Sequence, residues 1–588
     1  MAYGQVKLVQ QDAAVAMASG DAPSLIRPAR FLLPQAHRAH LPSLPTPRIG
    51  ALGPVTAEAM QIQAEFKAWA GSPRLWRRWV EKLLPRHEQL WREVGILHAI
   101  LASTYPAPRH HERELLQLVA FWCRQTNTFV FPWGEATLTL EDVAVLAGLP
   151  LVGVSVRADR DELQLQGDMA AIDAIRREMH RSGSRKPKYG RWVSHFLDPE
   201  QQEEEEEAGA GGADEDEHVE HGAFLAMWLS RFVFPAPQFD VVQGEVLPTA
   251  VRLARGHSVA LAPAVLAHIY DDLSSLKRHV VMGKGTEVIN VSAPMEILQL
   301  WVWERFPELR PEMASSSPNG VISATAVPRV ARWQGASKTL NPNYVRAVLM
   351  SPKDFLWRPY SLLQETHGGS WVHGQDAETA RSNAMLSFAR CLHPCDLVGM
   401  DSIKQYCPQR VALQLGFDQD VPEMAVRLNT ECWVKVWETY DIENERFVFA
   451  DPSDNVAVTA QYEQWWQPIA LACATAVADA SKMKVLPRFV NTTKRKLDGL
   501  PSTSSGKNKI IQTDTRTLQP TTAAPLDLDL NIPLVEPINR GTECLVKGAE
   551  QEQVPEGEGG DASAGANKKV LHNDIQALSD EMATSLVK

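Results

Sequence analysis

Apolar and polar positions first fall into a helical rhythm near Glu65. In "FKAWAGSPRLWRRWVEKLLPRHEQLWREVGILHAILAS", Trp76, Trp79, Leu83 and Leu84 share one face. Pro85 then predicts a break, and Leu90, Val94, Leu97 and Leu101 predict a second helix at i, i+4, i+7 and i+11. "HERELLQLVAFWCRQ" over 111–125 predicts another helix. The rhythm changes at "NTFVFPWGEATLTLEDVAVLAGLP", from Asn127 to Pro150. Phe129 and Phe131 flank Val130 in a short strand, Pro132-Trp133-Gly134-Glu135 reads as a turn, and "ATLTL" alternates as a return strand. Thr139 is placed to cap the next helix, with Asp142 in its first turn and Gly148 just past its end. Helical text continues through "LAPAVLAHIYDDLSSLKRH" and "PMEILQLWVWERFPELRP". The pattern predicts a mainly α-helical fold with small β-hairpins.

Composition sets the limits of that fold. The chain has 588 residues and a net charge of -12. The acidity is local: residues 200–220 hold eleven acids and no Lys or Arg, and residues 500–588 hold thirteen acids against eight bases, so the remainder carries +4. Neither a strong nucleic-acid footprint nor an acidic fold follows. Residues 1–55 are Pro- and Ala-rich and read as a mobile arm; 200–220 read as a disordered insertion; 485–588 read as a disordered tail. A domain over 65–480 remains. Seven scattered cysteines suggest a reducing compartment. No apolar run is long enough to span a membrane, and "MAYGQVKLVQQDAAVAMASG" has no secretory pattern.

The residues that carry chemistry give little purchase. The Trp133/Glu135 loop lacks a partner acid, base or ligand at a recognisable spacing. Cys391, His393 and Cys395 make one metal-type pair without the second pair a structural zinc site uses. "FDQD" at 417–420 lacks the glycine and terminal glutamate of a calcium loop. "GKGTE" at 283–287 is half of a phosphate loop, and no nucleophile elbow occurs. Residues 176–191 form a basic stretch that reads either as a contact for an acidic partner or as a solvated helix end. No cofactor is expected.

Seven blocks in order, "TNTFVFPWGEATLTLEDVAVLAGLPLVG", "LAPAVLAHIYDDL", "LQLWVWERFPELRP", "PRVARW", "DFLWRPY", "RVALQLGFDQDVP" and "YEQWW", resemble the plant mobile domain, also called aminotransferase-like, over roughly 75–475. The resemblance makes Phe129, Phe131, Pro132, Trp133, Gly134, Glu135 and Asp142 a family signature, and these residues suit fold-building better than catalysis. It implies a plant nuclear protein of the maintenance-of-meristems type, supporting transposon silencing and meristem maintenance through protein–protein contacts. An associated serine/threonine phosphatase of the phosphoprotein-phosphatase type is a further implied partner. The chain itself carries neither G-D-x-H-G nor G-N-H-E, and no lysine sits in a pyridoxal-type phosphate cup. The alternatives are a transposon-derived accessory protein acting on nucleic acid, or an enzyme of unfamiliar type.

Two tail segments add expectations. Lys482, Lys484, Lys494, Arg495 and Lys496 form a loosely bipartite cluster suited to an import receptor. In "PLDLDLNIPLVEP", Leu526, Leu528 and Leu530 alternate with Asp527 and Asp529, so an extended chain turns three leucines to one side. The stretch resembles the L-x-L-x-L repression motif of plant regulators. With Asp529, Leu530, Asn531 and Pro533 it resembles the D-L-N-x-x-P form in part, since Pro533 falls one residue early. The resemblance implies docking of a Topless-type co-repressor.

Overall fold

The computed structural model describes residues 5–19, 23–34, 63–66, 71–158, 163–181, 188–197, 213–238, 240–282, 288–312, 329–333, 335–353, 355–360, 383–422, 432–441 and 446–482. They all fall in one compact unit, residues 1–495. The fold is mainly α, with short strands in pairs and one three-stranded sheet.

Burial explains where the helices run. Helix Trp76–Glu93 passes straight through Pro85 and buries Trp76, Trp79, Val80, Leu83 and Trp91. The predicted break is therefore absent. A proline forfeits one backbone bond and crowds the preceding turn, and three tryptophans on one face outweigh that here. The face turns on Trp91, with Leu90 only partly buried. Leu97 and Leu101 lie in a separate helix, Leu97–Ala102, reached through Gly95 at φ 79°. The helix expected over 111–125 runs only from Glu112 to Val119, and Trp122–Cys123 is already a strand. Trp122 and Phe121 are needed in the sheet and core, and helical spacing cannot serve both.

The sheet at the centre is antiparallel. Trp122 pairs with Phe129, Phe129 in turn with Ala136, and Phe131 with Gly134. Its two-residue loop, Pro132–Trp133, is tighter than the four-residue turn read from the sequence. The return strand is correspondingly Gly134–Ala136, and Leu138 is already past it. Helix Leu261–Met282 packs against this region: Tyr270 donates its hydroxyl proton to the Leu138 carbonyl at 2.7 Å, and Trp122 Nε1 donates to Ser274 Oγ at 3.1 Å.

Parts of two segments expected to be unstructured, residues 5–19 and 23–34 of the arm and 213–220 of the insertion, are built into the fold. Gln5–Lys7 pairs in parallel with Arg446–Val448, and Val9–Met17 forms a hairpin with Leu25–Leu32. Val6, Leu8, Val9, Met17, Ala29 and Leu32 are buried. Arg27 clamps the hairpin to Asp418 at 2.6 Å. Gln5–Lys7 forms a strand because a distant segment supplies its hydrogen bonds, while Val9–Met17 and Leu25–Leu32 supply each other's. In the acidic insertion, helix Ala213–Trp228 begins before the insertion ends. Glu220 accepts from Trp79 Nε1 at 2.9 Å and Lys82 Nζ at 2.8 Å, so this acid is a structural partner of the first long helix. Residues 198–212 lie outside the described residues.

Candidate functional site

The signature hairpin is a junction of buried ions. Asp142, fully buried, sits in the first turn of helix Leu140–Ala147 in a complete capping box with Thr139. Its Oδ2 accepts from the Thr139 backbone N–H at 2.7 Å and the Thr139 hydroxyl at 2.8 Å. Its Oδ1 accepts from Arg305 Nη2 at 2.6 Å and from the Tyr360 hydroxyl. Burial opposes the Arg305 charge, yet Asp142 and Tyr360 beside it leave the guanidinium held above its ordinary range. Burial, together with the Asp142 charge, pushes the Tyr360 phenol well up, so it remains a donor. Glu135 is equally closed in. Its Oε1 accepts from Thr128 Oγ1 at 2.7 Å and Arg410 Nε at 3.0 Å. Arg410 Nη2 lies 2.8 Å from Oε2, close enough for ion pairing but poorly angled for a hydrogen bond. The neighbouring Glu304 accepts from Arg329 Nε and Trp333 Nε1 at 3.0 and 3.1 Å.

Trp133 is only partly buried. It stacks on Phe131 with centroids 4.7 Å apart, touches Phe355 and Trp357, and donates Nε1–H to the Leu349 carbonyl at 2.9 Å. Phe129 stacks on Trp301. The Pro132 carbonyl accepts from Trp466 Nε1 at 3.1 Å. Gly134 takes φ 143°, which a residue with Cβ would strain to adopt. Gln414 closes a two-way bond with the Thr137 backbone, at 2.8 and 2.9 Å. Every block that resembles the family thus reaches this hairpin directly or through one neighbour. Arg305, Tyr360 and Arg410 were not singled out from the sequence. Their signal was the Arg in "WERF" and "PQRV" and the Tyr in "FLWRPY", which alone does not say which carboxylate each meets.

The metal-type residues keep apart. Cys391 Sγ contacts the Ser387 carbonyl at 3.3 Å, and burial pushes the Cys391 and Cys395 thiols well up. Among the described residues no group of three His, Cys, Asp or Glu side chains is arranged to hold a metal ion, and no helix is long and apolar enough to cross a membrane. In the basic stretch Arg176 and Arg177 both pair with Asp173, and Lys188 with Asp240, while residues 182–187 lie outside the described residues. Lys482 ends the last described helix, Ala460–Lys482. Lys484, Lys494, Arg495, Lys496, Leu526, Leu528, Asp529, Leu530, Asn531 and Pro533 lie outside the described residues.

A second site was not foreseen. A cleft of about 100 Å³ lies beside a π-helical turn, Leu229–Val233. The turn carries the wide bond from Phe234 N–H to the Leu229 carbonyl at 2.7 Å. Such turns recur at functional sites because they reposition side chains that a regular helix would space evenly. Arg231 and Phe232 from the turn, Glu296 and Leu300 from helix Met295–Arg305, and Tyr105 line the cleft. Glu296 keeps some exposed surface, but its Oε2 is covered and has no hydrogen-bond partner. Desolvation pushes its carboxyl up to about 7, against the opposing pull of Arg231.

The geometry defines a class first: a mainly helical protein assembled round a hairpin whose carboxylates are locked by arginines contributed from distant segments. The chain belongs to the plant mobile domain family, whose model matches residues 95–467. It is 26% identical over 323 residues to the Arabidopsis thaliana serine/threonine-protein phosphatase 7 long form homolog, covering 52% of this chain and 21% of that protein. It is 24% identical over 351 residues to Protein MAIN-LIKE 2 of Arabidopsis thaliana, covering 58% of this chain and 46% of that protein. Over 53 residues it is 47% identical to Protein MAINTENANCE OF MERISTEMS of the same plant, 8% of this chain and 11% of the other. The chain therefore spans less than half the length of each of these relatives. No solved structure matches it.

Proposed function

We propose that the protein is a non-enzymatic plant nuclear factor that supports transcriptional and transposon silencing and meristem maintenance by holding other proteins together. The observation that carries this reading is the closure of the signature. Glu135 and Asp142 are the acids an enzyme reading would use, and both are committed to buried arginines. A catalytic carboxylate has to meet substrate, whereas these two meet Arg410, Arg305 and Tyr360 and tie the chain together. The names of the MAIN-type relatives favour the meristem connection. The phosphatase named among the relatives favours a phosphatase of that type as a partner.

In this reading Lys482, Lys484, Lys494, Arg495 and Lys496 direct import, and Leu526, Leu528 and Leu530 dock a Topless-type co-repressor. Burying three leucines supplies roughly 1.5–3 kcal/mol each before ordering costs. One experiment tests the reading. The tagged full chain is expressed in plant cells, localised, and affinity-purified from nuclei with identification of what co-purifies. We expect nuclear signal, the co-repressor and a phosphatase. The Leu526→Ala/Leu528→Ala/Leu530→Ala chain should lose the co-repressor alone, and the Lys494→Ala/Arg495→Ala/Lys496→Ala chain should shift to the cytoplasm. A wild-type chain that stays cytoplasmic and recovers no nuclear protein would overturn the reading.

A further inference from the structure

We propose that His87 and His221 form a proton-sensitive clasp: uptake of a proton frees the early turns of helix Ala213–Trp228, about residues 217–222, from helix Trp76–Glu93 while the rest of the fold stays closed. The inference goes beyond the function proposed above and does not depend on it. Three observations carry it.

The contact itself comes first. The two imidazoles lie face to face, with ring centres 3.8 Å apart and planes 11° from parallel. His221 is buried, and its Nε2 accepts from Trp91 Nε1 at 2.9 Å. An indole N–H only donates, so this nitrogen carries no proton and His221 is the neutral Nδ1–H form. A proton on Nε2 removes that bond and sets two donors against each other. His87 Nε2 is covered and has no hydrogen-bond partner; it stands 3.8 Å from Glu217 Oε1, beyond hydrogen-bond reach. Protonating both rings places two positive charges face to face.

The second observation is what surrounds the pair. Burial is the largest influence on both rings and lowers their affinity for a proton. At His87, Glu217 and Glu220 favour a proton, while Arg86 and His218 oppose it. At His221 the acting charges, His87 and His218, both oppose one. Helices Leu163–Arg181 and Leu247–Ala254 meet Gly222, next to His221, with the apolar side chains of Ile172 and Val251. Helix Tyr189–Leu197 meets the same turn with Trp192, whose Nε1 donates to the Ala223 carbonyl at 3.1 Å. The third observation fixes how far release runs. Opening breaks the Lys82–Glu220 pair, which partial exposure keeps weak. It then reaches Gly222, a poor helix former. Beyond that, Phe224 stacks on Trp76 and Trp91 at 4.8 and 5.3 Å, and a proton does not disturb those contacts.

The test is hydrogen exchange of the full chain at pH 7.5, 6.5 and 5.5, followed peptide by peptide by mass spectrometry and corrected for the intrinsic pH dependence of exchange. A freed histidine titrates near 6.5. Each ring that binds its proton only when open therefore favours opening by about tenfold at pH 5.5, and the contact is whole above 6.5 and weakened below it. Protection across 217–222 should fall at least about fivefold from pH 7.5 to 5.5, while helix Leu140–Ala147 keeps its own. His221→Gln offers Trp91 an acceptor and takes up no proton, so it should at least halve the fall. His87→Phe keeps a ring in the stack without a charge and should shrink the fall likewise. A wild-type chain with no fall would overturn the proposal. So would a fall shared by Leu140–Ala147, which is general acid unfolding, or one that His221→Gln leaves intact. If His221→Gln does not fold, His87→Phe decides: an unchanged fall rejects the pair.

Discussion

Asp142 and Glu296 begin as similar residues. Each is an acid in the first turn of a helix, where the helix dipole favours it, and each has an arginine nearby. Yet Asp142 collects four donors, while Glu296 keeps a covered oxygen with none. The two regions are joined by one element: helix Met295–Arg305 carries Glu296 at its start and Arg305 at its end. What separates them is the origin of their partners. Asp142 is met by Arg305 and Tyr360, which arrive from 163 and 218 residues away in the chain. Arg231 lines the same cleft as Glu296 and pulls on its charge, but no hydrogen bond reaches Glu296 Oε2. A buried carboxylate surrounded by donors holds a fold together; one left short of donors keeps its proton to higher pH.

The sharpest way to break this comparison is to take the arginine from Asp142. Arg305→Met keeps the length of the side chain and removes the charge. Asp142 would then be a buried carboxylate with one strong partner fewer, a change that typically costs about 3–5 kcal/mol. We expect a large drop in the urea midpoint followed by tryptophan fluorescence, or loss of soluble protein. A midpoint within error of wild type would mean that Thr139 and Tyr360 suffice, and the closed region would no longer differ from the open one.

At Glu296 the sign reverses. Its carboxyl stands at about 7 in the fold against an ordinary 4.5. Between those values the folded state keeps a proton that the unfolded chain releases. Stability therefore falls as pH rises from about 4.5 to about 7, and the loss is complete above that window. Glu296→Gln removes the titration. The variant should be more stable than wild type at pH 8, by roughly 1–3 kcal/mol given the partial exposure of the residue, and close to it at pH 4. Paired melting curves at the two pH values measure this. Equal differences at both would show that Glu296 titrates normally, and the contrast with Asp142 would reduce to packing alone.

Much of the closed region was legible before any coordinates. Thr139, Asp142 and Gly148 carry a local grammar of cap, first-turn acid and terminal glycine, and the helix obeys it at both ends. The Phe129-Val130-Phe131 strand was equally plain. What failed was everything decided at a distance. Pro85 reads as a break because the local backbone penalty is visible and the burial of Trp76, Trp79 and Trp91 is not. Strand Gln5–Lys7 read as an arm because its ladder partner, Arg446–Val448, lies more than 400 residues later, and the Val9–Met17/Leu25–Leu32 hairpin because its anchor Asp418 is nearly as remote. Glu296 went unremarked, since nothing in "PMEILQ" tells whether solvent or an apolar wall will face it. The same limit hid the arginine partners: the sequence shows that arginines are present, and only packing assigns them.

The smallest effect comes from the one part of the closed region that is wholly local. Thr139→Ala removes the hydroxyl that donates to Asp142 Oδ2 at 2.8 Å and accepts from the Asp142 backbone N–H at 3.2 Å. It leaves the stronger ties in place, because the Thr139 backbone N–H still donates to Oδ2 at 2.7 Å and Arg305 and Tyr360 still hold Oδ1. Losing an N-cap hydroxyl usually costs about 1 kcal/mol, with values up to about 2 for threonine caps in folded proteins. Full burial of Thr139 puts the expected loss in the upper part of that range, still below that of Arg305→Met. Thr139→Ser should recover most of it, since serine supplies the same oxygen and leaves only a missing methyl. Chemical denaturation of the three proteins side by side gives the ranking. If Thr139→Ala cost as much as Arg305→Met, the cap and not the distant arginine would be holding Asp142, and the division between local and long-range partners would be wrong.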